Sequence, residues 1–357
     1  MTGRLPPGLF ELADRLGESV DRRLGRAGGS GGADPVVGDA RYWVEMPARL
    51  GAAAQPGPVA PPAAGTPAGT GTAPVAWGDG ALCVDLGPDD GATWERFAVT
   101  VRSERDPEAV AAAAQEWRLA VTPYRRLEDA DATAPPACSA GPAGLRGPVD
   151  LRGARVLDLT SMWAGPLCTH LLTRAGAVVT KIESAARPDG LRGSPMHRRL
   201  NDAKTVLDLD LRRPPDRREF DRLLAASDLL VTSLSLRALE NFGLLPHQLA
   251  AAAPEAMTLA VTAFDAGSPE AGWIAYGTGV HAASGLGRLD VSARAQPPAW
   301  SYPDPLAGLR ACAVAVEQLA ARGAGAAGAH RHRRVSLAGA VRPLVEQARR
   351  CRAAADD

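Results

Sequence analysis

Few residues in this chain have the type and spacing that chemistry requires. The five cysteines, Cys83, Cys138, Cys168, Cys312 and Cys351, are scattered without a CxxC pair. They read as reduced structural thiols, not as a zinc site or a disulfide framework. The six histidines show no HExxH or other ligand spacing, so no metal site is expected. No GxGxxG follows the strand at Arg155–Leu159, there is no Walker A sequence and no GxSxG forms a strand-to-helix elbow, which disfavours dinucleotide, P-loop and serine-hydrolase chemistry. Two segments remain. The turn Thr160-Ser161-Met162-Trp163-Ala164-Gly165-Pro166 joins a strand to a helix, and such a helix start is a place for an anionic phosphate or a plain connection. The second, Ser301-Tyr302-Pro303-Asp304-Pro305-Leu306-Ala307-Gly308, runs into an apolar helix over 309–321, and Asp-Pro before a helix is an N-cap signal.

The elements that must position these residues follow from periodicity. Leu9, Leu12, Leu16, Val20 and Leu24 lie at helical spacing, with Gly25 and the run Gly28–Gly32 ending that helix. Residues 51–76 are almost entirely Ala, Pro, Gly and Thr and read as a flexible loop. Ala81–Leu86 reads as a strand, Trp94–Thr100 as a helix or strand, and Asp106-Pro107-Glu108 as a helix start; Ala120–Tyr124 reads as a short strand. The Pro-rich piece 134–148 reads as a linker. Beyond it come strands at Arg155–Leu159, Val178–Ile182, Thr205–Leu211, Asp228–Thr232 and Thr258–Thr262. Helices at Leu167–Arg174, Arg217–Ala226 and Leu236–Phe242 fall between them. This alternation predicts an α/β fold with a doubly wound parallel sheet.

Composition sets the class. The 357 residues suggest two domains on a scale of roughly 100–200 residues each, and 46% hydrophobic against 22% charged residues supports packed cores. Forty basic residues balance forty acidic ones, which argues against a nucleic-acid partner. No apolar run approaches about 18 residues and the N-terminus carries acids, so a cytoplasmic protein with no membrane partner is expected. Only Lys181 and Lys204 are lysines; the other basic residues are arginines, a bias better explained by genome composition than by an anionic partner.

The stretch 151–184 resembles the opening of the family III CoA-transferases, the group that includes formyl-CoA and carnitine CoA-transferases and α-methylacyl-CoA racemases. The resemblance rests on Val156, Leu157, Asp158, Thr160, Ala164-Gly165-Pro166, Gly176-Ala177, Val179 and Lys181-Ile182-Glu183. It continues through Asn201-Asp202-Ala203-Lys204, Ser227–Val231 and the segment His330–Leu337. In that last segment an arginine contact to a CoA phosphate and a solvated hairpin are both open.

Several roles follow from the resemblance alone. Asp304 occupies the position of the family's catalytic aspartate, which attacks an acyl-CoA thioester; capping the helix is its other reading. Coenzyme A is implied as co-substrate, with no tightly bound cofactor. Ser161, Met162, Trp163 and Ala164 are implied at the CoA cleft. Asn201, Lys204, Ser233, Leu234, Ala238 and Asn241 are implied toward the adenosine end, and Tyr276 near the catalytic segment. Each lysine has a structural salt bridge as its alternative role. Acyl-CoA and carboxylic acid substrates and a homodimer are implied as partners.

The chain also departs from the family pattern. Thr232-Ser233-Leu234-Ser235-Leu236-Arg237 replaces the usual adenosine turn, and Asn241 stands where many members have arginine. His281 lies too late for the proton-transfer histidine of the racemases, and reads as a helix-face residue. Residues 78–86, 94–97 and 109–123 resemble the family's smaller domain, which elsewhere follows the Val-Ser-Leu strand. The expected organisation is an N-terminal helical segment (1–50), a loop (51–76), a small α+β domain-like segment (77–133), a linker (134–148) and the large α/β domain (149–357). A CoA-transferase is the leading function; a non-catalytic acyl-CoA-binding relative and an acyl-CoA racemase or isomerase are the alternatives.

Overall fold

The computed structural model describes residues 5–26, 36–49, 74–87, 89–130, 148–289, 294–323 and 331–356. Two helices come first, α1 (Leu9–Arg23) and α2 (Ala40–Arg49). A small α+β unit follows, with β1 (Val75–Trp77), β2 (Gly80–Val84), α3 (Gly91–Thr100), α4 (Pro107–Glu116) and β3 (Val121–Pro123). Its strands form an antiparallel sheet in the order β1-β2-β3. Leu82, Val84, Trp94, Phe97, Val110 and Val121 form a core of its own. Asp106 accepts the Glu108 N–H at 3.0 Å and Pro107 takes the first helical position, as the local sequence predicts for α4.

The large unit alternates strand and helix: β4 (Arg155–Leu159), α5 (Ala164–Arg174), β5 (Val178–Glu183), α6 (Pro195–Asn201) and β6 (Thr205–Asp208). It continues with α7 (Pro214–Ala225), β7 (Leu229–Thr232), α8 (Leu236–Asn241), α9 (Pro246–Ala252) and β8 (Met257–Thr262). Then come α10 (Gly277–Ala283), α11 (Pro303–Gly323), β9 (His332–Ser336) and α12 (Leu337–Asp356). All six strands are parallel, in the order β6-β5-β4-β7-β8-β9. The chain winds outward from β4 to β6, then returns to build β7, β8 and β9 on the other side. This is the doubly wound arrangement, with its switch point between β4 and β7. One face is covered by α1, α2, α5, α6, α10, α11 and α12. The other is covered by α7, α8 and α9 through Phe220, Leu224, Leu239 and Leu249. Central β7 (Leu-Leu-Val-Thr) is buried along its whole length, as a strand covered on both faces must be.

Several boundaries move. Helix α11 begins at Pro303, so Asp304 lies inside its first turn and is not the residue before it. Helix α5 begins at Ala164, absorbing the Ala-Gly-Pro turn. Strand β6 covers only four of the seven residues whose alternation predicted it, because the chain turns at Asp210, which accepts the Arg212 N–H. Trp94–Thr100 resolves to helix. Strand β1 starts at Val75, inside the stretch read as loop, because Val75 pairs with Leu82. His332, Arg333 and Arg334 form a strand paired with β8, not a hairpin. The N-terminal helices are not a separate layer: Leu9, Val20, Trp43 and Met46 enter the same core as α5 and α11. Residues 51–73, 131–147, Gly28–Gly32 and His330 lie outside the described residues.

Candidate active site

At the switch point the ends of β4 and β7 meet. The Ser161 N–H donates to Ser233 Oγ at 3.1 Å, so two residues 72 positions apart form one edge of the crevice. Met162 follows with φ 67°, a left-handed conformation rare for a side chain of this kind, and its N–H is held by the Asp189 carboxylate at 3.0 Å. Trp163 caps α5 and is buried, with its indole N–H unpartnered. Gly165 must lack a side chain, since a Cβ there would lie 2.4 Å from the Thr160 Cβ. Gly308 of α11 likewise leaves room for the Ala164 carbonyl of α5, 2.8 Å from where its Cβ would stand. These two glycines bring the starts of α5 and α11 together, and Asp304 sits one turn before that crossing.

The surroundings of Asp304 are built by three segments. Ser301 Oγ donates to its Oδ2 at 2.5 Å, and the Gly277 N–H at the start of α10 donates to the same carboxyl group. Gly277 has to be glycine, because a Cβ would lie 2.1 Å from Asp304 Oδ2. Two residues on, the Gly279 N–H donates to Asp85, and Thr278 Oγ1 donates to Asp85 Oδ2 at 2.6 Å. Asp85 follows β2 of the small sheet, and Thr122 of β3 fastens that sheet to α10 by donating to the Gly279 carbonyl at 3.1 Å. One helical turn therefore holds two carboxylates, one from each unit. Burial pushes Asp304 up to about 6; Ser301 works against that shift and the Asp85 charge adds to it. Burial likewise pushes Asp85 up to about 6. Among the described residues neither carboxylate has an ion-pair partner. The ring of Tyr276, 37% exposed, stands in the field of Asp85, Asp304 and Arg187 at the mouth.

Asn201 and Lys204 are elsewhere. The Lys204 side chain is fully buried and donates to Asp158 Oδ2 (3.0 Å), Thr169 Oγ1 (2.7 Å), Asn201 Oδ1 (2.9 Å) and the Pro166 carbonyl (3.0 Å). Asn201 in turn donates to the His197 carbonyl. Every polar atom of this pair is spent inside the protein, so the structure corrects their placement at the CoA cleft and gives the salt-bridge role. Lys181 is also interior, donating to the Thr160 carbonyl at 2.7 Å and lying 3.8 Å from Glu183. The physical reason is common to both: an ammonium beneath a buried sheet end needs a full shell of acceptors.

Of the remaining predicted residues, Leu234 and Ala238 are half-buried beside the Ser233 turn, with N–H groups bonded to Thr232 and Ser235. Asn241 is exposed at the C-terminal end of α8. His281 is buried, not on an open helix face. Its ring nitrogens meet Tyr302 Oη at 2.8 Å and the Gln296 carbonyl at 3.1 Å, so neither faces a substrate. Sequence reasoning missed Asp85, Ser301 and Gly277. The only local signal for Asp85 is an acid ending an otherwise apolar strand. A separate cavity of about 60 Å³ does not include Asp304, and two of its three carboxylates, Glu270 and Asp265, are paired with Arg125 and Arg342.

Residues 151–349 match the model of CoA-transferase family III. The chain belongs to that family. A probable CoA-transferase of Mycobacterium tuberculosis, Rv1866, is 32% identical over 219 residues, covering 56% of this chain and 27% of the relative. The succinyl-CoA–L-malate CoA-transferase beta subunit of Chloroflexus aurantiacus is 32% identical over 148 residues, 39% of this chain and 36% of that one. The family III chain thus spans about a quarter to a third of the curated relatives it matches. Among solved structures, a CAIB/BAIF family protein from Brucella suis shares the fold with TM-score 0.51 at 21% identity over 58% of each chain. Rv3272 from M. tuberculosis does so with TM-score 0.50 at 22% identity, over 57% of this chain and 59% of that one.

Proposed function

We propose that this chain moves CoA from an acyl-CoA donor to a carboxylic acid acceptor, with Asp304 as nucleophile. The observation that carries the reading is the setting of Asp304: a half-buried carboxylate without a cation among the described residues, in the first turn of α11 beside the crevice of a family III fold. An Asp304 oxygen attacks the thioester carbonyl carbon and the C–S bond breaks. This leaves a mixed anhydride and a CoA thiolate. The thiolate then attacks the aspartyl carbonyl, giving an aspartyl-CoA thioester and releasing the donor acid. The acceptor carboxylate attacks that thioester, and the returning thiolate attacks the acceptor's acyl carbon of the second anhydride. The new acyl-CoA leaves and Asp304 is restored. A carboxylate is a weak nucleophile, so hydrogen-bond donors placed at the developing oxyanion must lower the barrier.

CoA is a co-substrate in this scheme. The edge Ser161–Ala164 with Ser233 and Leu234 supports the cleft wall, and Tyr276 supports its mouth. We read the protein as a cytoplasmic homodimer, which light scattering on the purified chain checks; no helix among the described residues is long and apolar enough to cross a membrane. The deciding experiment is trapping. After incubation with an acyl-CoA, hydroxylamine should leave a hydroxamate on Asp304, read by mass spectrometry. CoA binding without any adduct would sink the nucleophilic reading in favour of a binding protein. Loss of an α-proton in deuterated water without transfer would favour a racemase.

A further inference from the structure

The small sheet contributes a residue to the site that the matched region 151–349 does not contain. Asp85 follows β2, and its carboxylate is fixed by Thr278 Oγ1 and the Gly279 N–H, while Asp304 is fixed by Gly277 two residues earlier on the same turn. Cys83 Sγ lies 3.5 Å from Asp85 Oδ2 as a third, weak donor. Gly277 and Gly279 permit this approach: a Cβ on the first would meet Asp304 and Ser301, and on the second Thr122 at 3.0 Å. Thr122 pins the turn to β3, so the small unit sets where the turn stands. Two like charges held by one turn, with no ion pair on either, cannot both ionise freely.

We propose that Asp85 is a positioning residue for Asp304: its carboxylate, held on the same first turn of α10, sets the ionisation and nucleophilic strength of Asp304 through their mutual repulsion. Asp304 shifts upward chiefly through burial and further through Asp85. The other titratable or charged groups around the pair are Cys83 on β2, Tyr124 after β3, Tyr276 before α10, and Asp90 and Arg187 near Tyr276. The nucleophile is thus tuned by the small unit, through a contact within one chain. This inference rests on Asp304 being the nucleophile.

The test begins without substrate, on the full chain labelled with ¹³C-aspartate, the two carboxyl signals being assigned with Asp85→Asn and Asp304→Asn. In the wild type each carbon should report the other's titration, giving a broadened two-step curve; two independent single-step curves would overturn the proposal. In Asp85→Asn, where the amide oxygen can still accept from Thr278, the Asp304 midpoint should fall by about half a pH unit or more. An unchanged midpoint overturns the proposal even if that variant is fully active. If Asp85→Asn misfolds, Asp304→Asn still assigns the Asp304 signal, and a single-step wild-type curve for that carbon overturns the proposal. With substrate, Asp85→Asn should shift the acid limb of kcat/KM to lower pH and lower the plateau kcat several-fold, with KM unchanged. If hydroxylamine leaves no adduct on wild-type Asp304, the transfer reading fails, while the carboxyl titrations still decide the coupling.

Discussion

Two clusters of acid withdrawn from water, one inside the large unit and one where it meets the small unit, behave in opposite ways. Below the end of β4, Asp158 accepts from Lys204, both threonine hydroxyls and the Thr160 N–H. Burial pushes its carboxyl up, but Lys204, Lys181 and the hydroxyls outweigh that and hold it well below the usual carboxylate range. At the start of α11, Asp304 and Asp85 have hydroxyl and backbone donors but no cation, and both rise to about 6. Burial is common to the two clusters; the difference is the counter-charge. A fully paired acid is a structural tie, whereas an acid held only by neutral donors titrates closer to neutrality and keeps a lone pair to use.

Breaking the first cluster should produce the largest change in stability. Lys204→Met leaves Asp158 buried without its ammonium and should cost about 3–5 kcal/mol, measured by denaturant unfolding. A loss below about 1 kcal/mol would mean that the cluster is not the tie described. Breaking the second should do the reverse. Asp304→Asn should abolish the hydroxylamine adduct and transfer, yet stabilise the fold by about 1 kcal/mol at pH 7. The sign follows from the raised carboxyl: its stabilising contribution is full below the unfolded value near 3.9 and is lost as pH rises through about 6, so a neutral amide avoids that loss. Lower thermal stability of Asp304→Asn at pH 7 would contradict the contrast.

Gly277→Ala sharpens it further. Its Cβ would meet Asp304 Oδ2 at 2.1 Å and Ser301 Oγ at 2.2 Å, so turnover should fall ~10²-fold by displacement of the nucleophile. Steady-state kinetics with wild-type-like rates would show that this turn does not set the geometry. The smallest expected effect at neutral pH lies at His170 on α5, which packs on the Trp43 ring at 5.2 Å with neither ring nitrogen bonded. Burial, then Lys204, Arg174 and Arg199, push it down to about 3. Stability present above about 6.5 should therefore be lost by ~1.4 kcal/mol per pH unit as pH falls toward 3. His170→Leu should remove that slope in thermal melts between pH 6 and 4, and an identical slope would place the acid sensitivity elsewhere.

The alternation of Arg155–Leu159, Val178–Ile182, Asp228–Thr232 and Thr258–Thr262 with helices made the parallel sheet legible, because strand and helix periods are local properties. The turn Thr160–Pro166 and Asp304 were legible through family resemblance. Asn201 and Lys204 were misplaced because proximity in the chain to a cleft segment does not reveal which way a side chain points. Asp85 was invisible as a site residue: 219 positions separate it from Asp304, and nothing local distinguishes it from any acid closing a strand. Strand and helix identity and the doubly wound class were determined by the sequence alone, since short-range pattern and steric propensity decide them, whereas Asp304 was singled out by the family resemblance. Which acids are tied and which stand free was decided only by the tertiary structure, because electrostatic character depends on the counter-charges and donors that folding brings within a few ångströms.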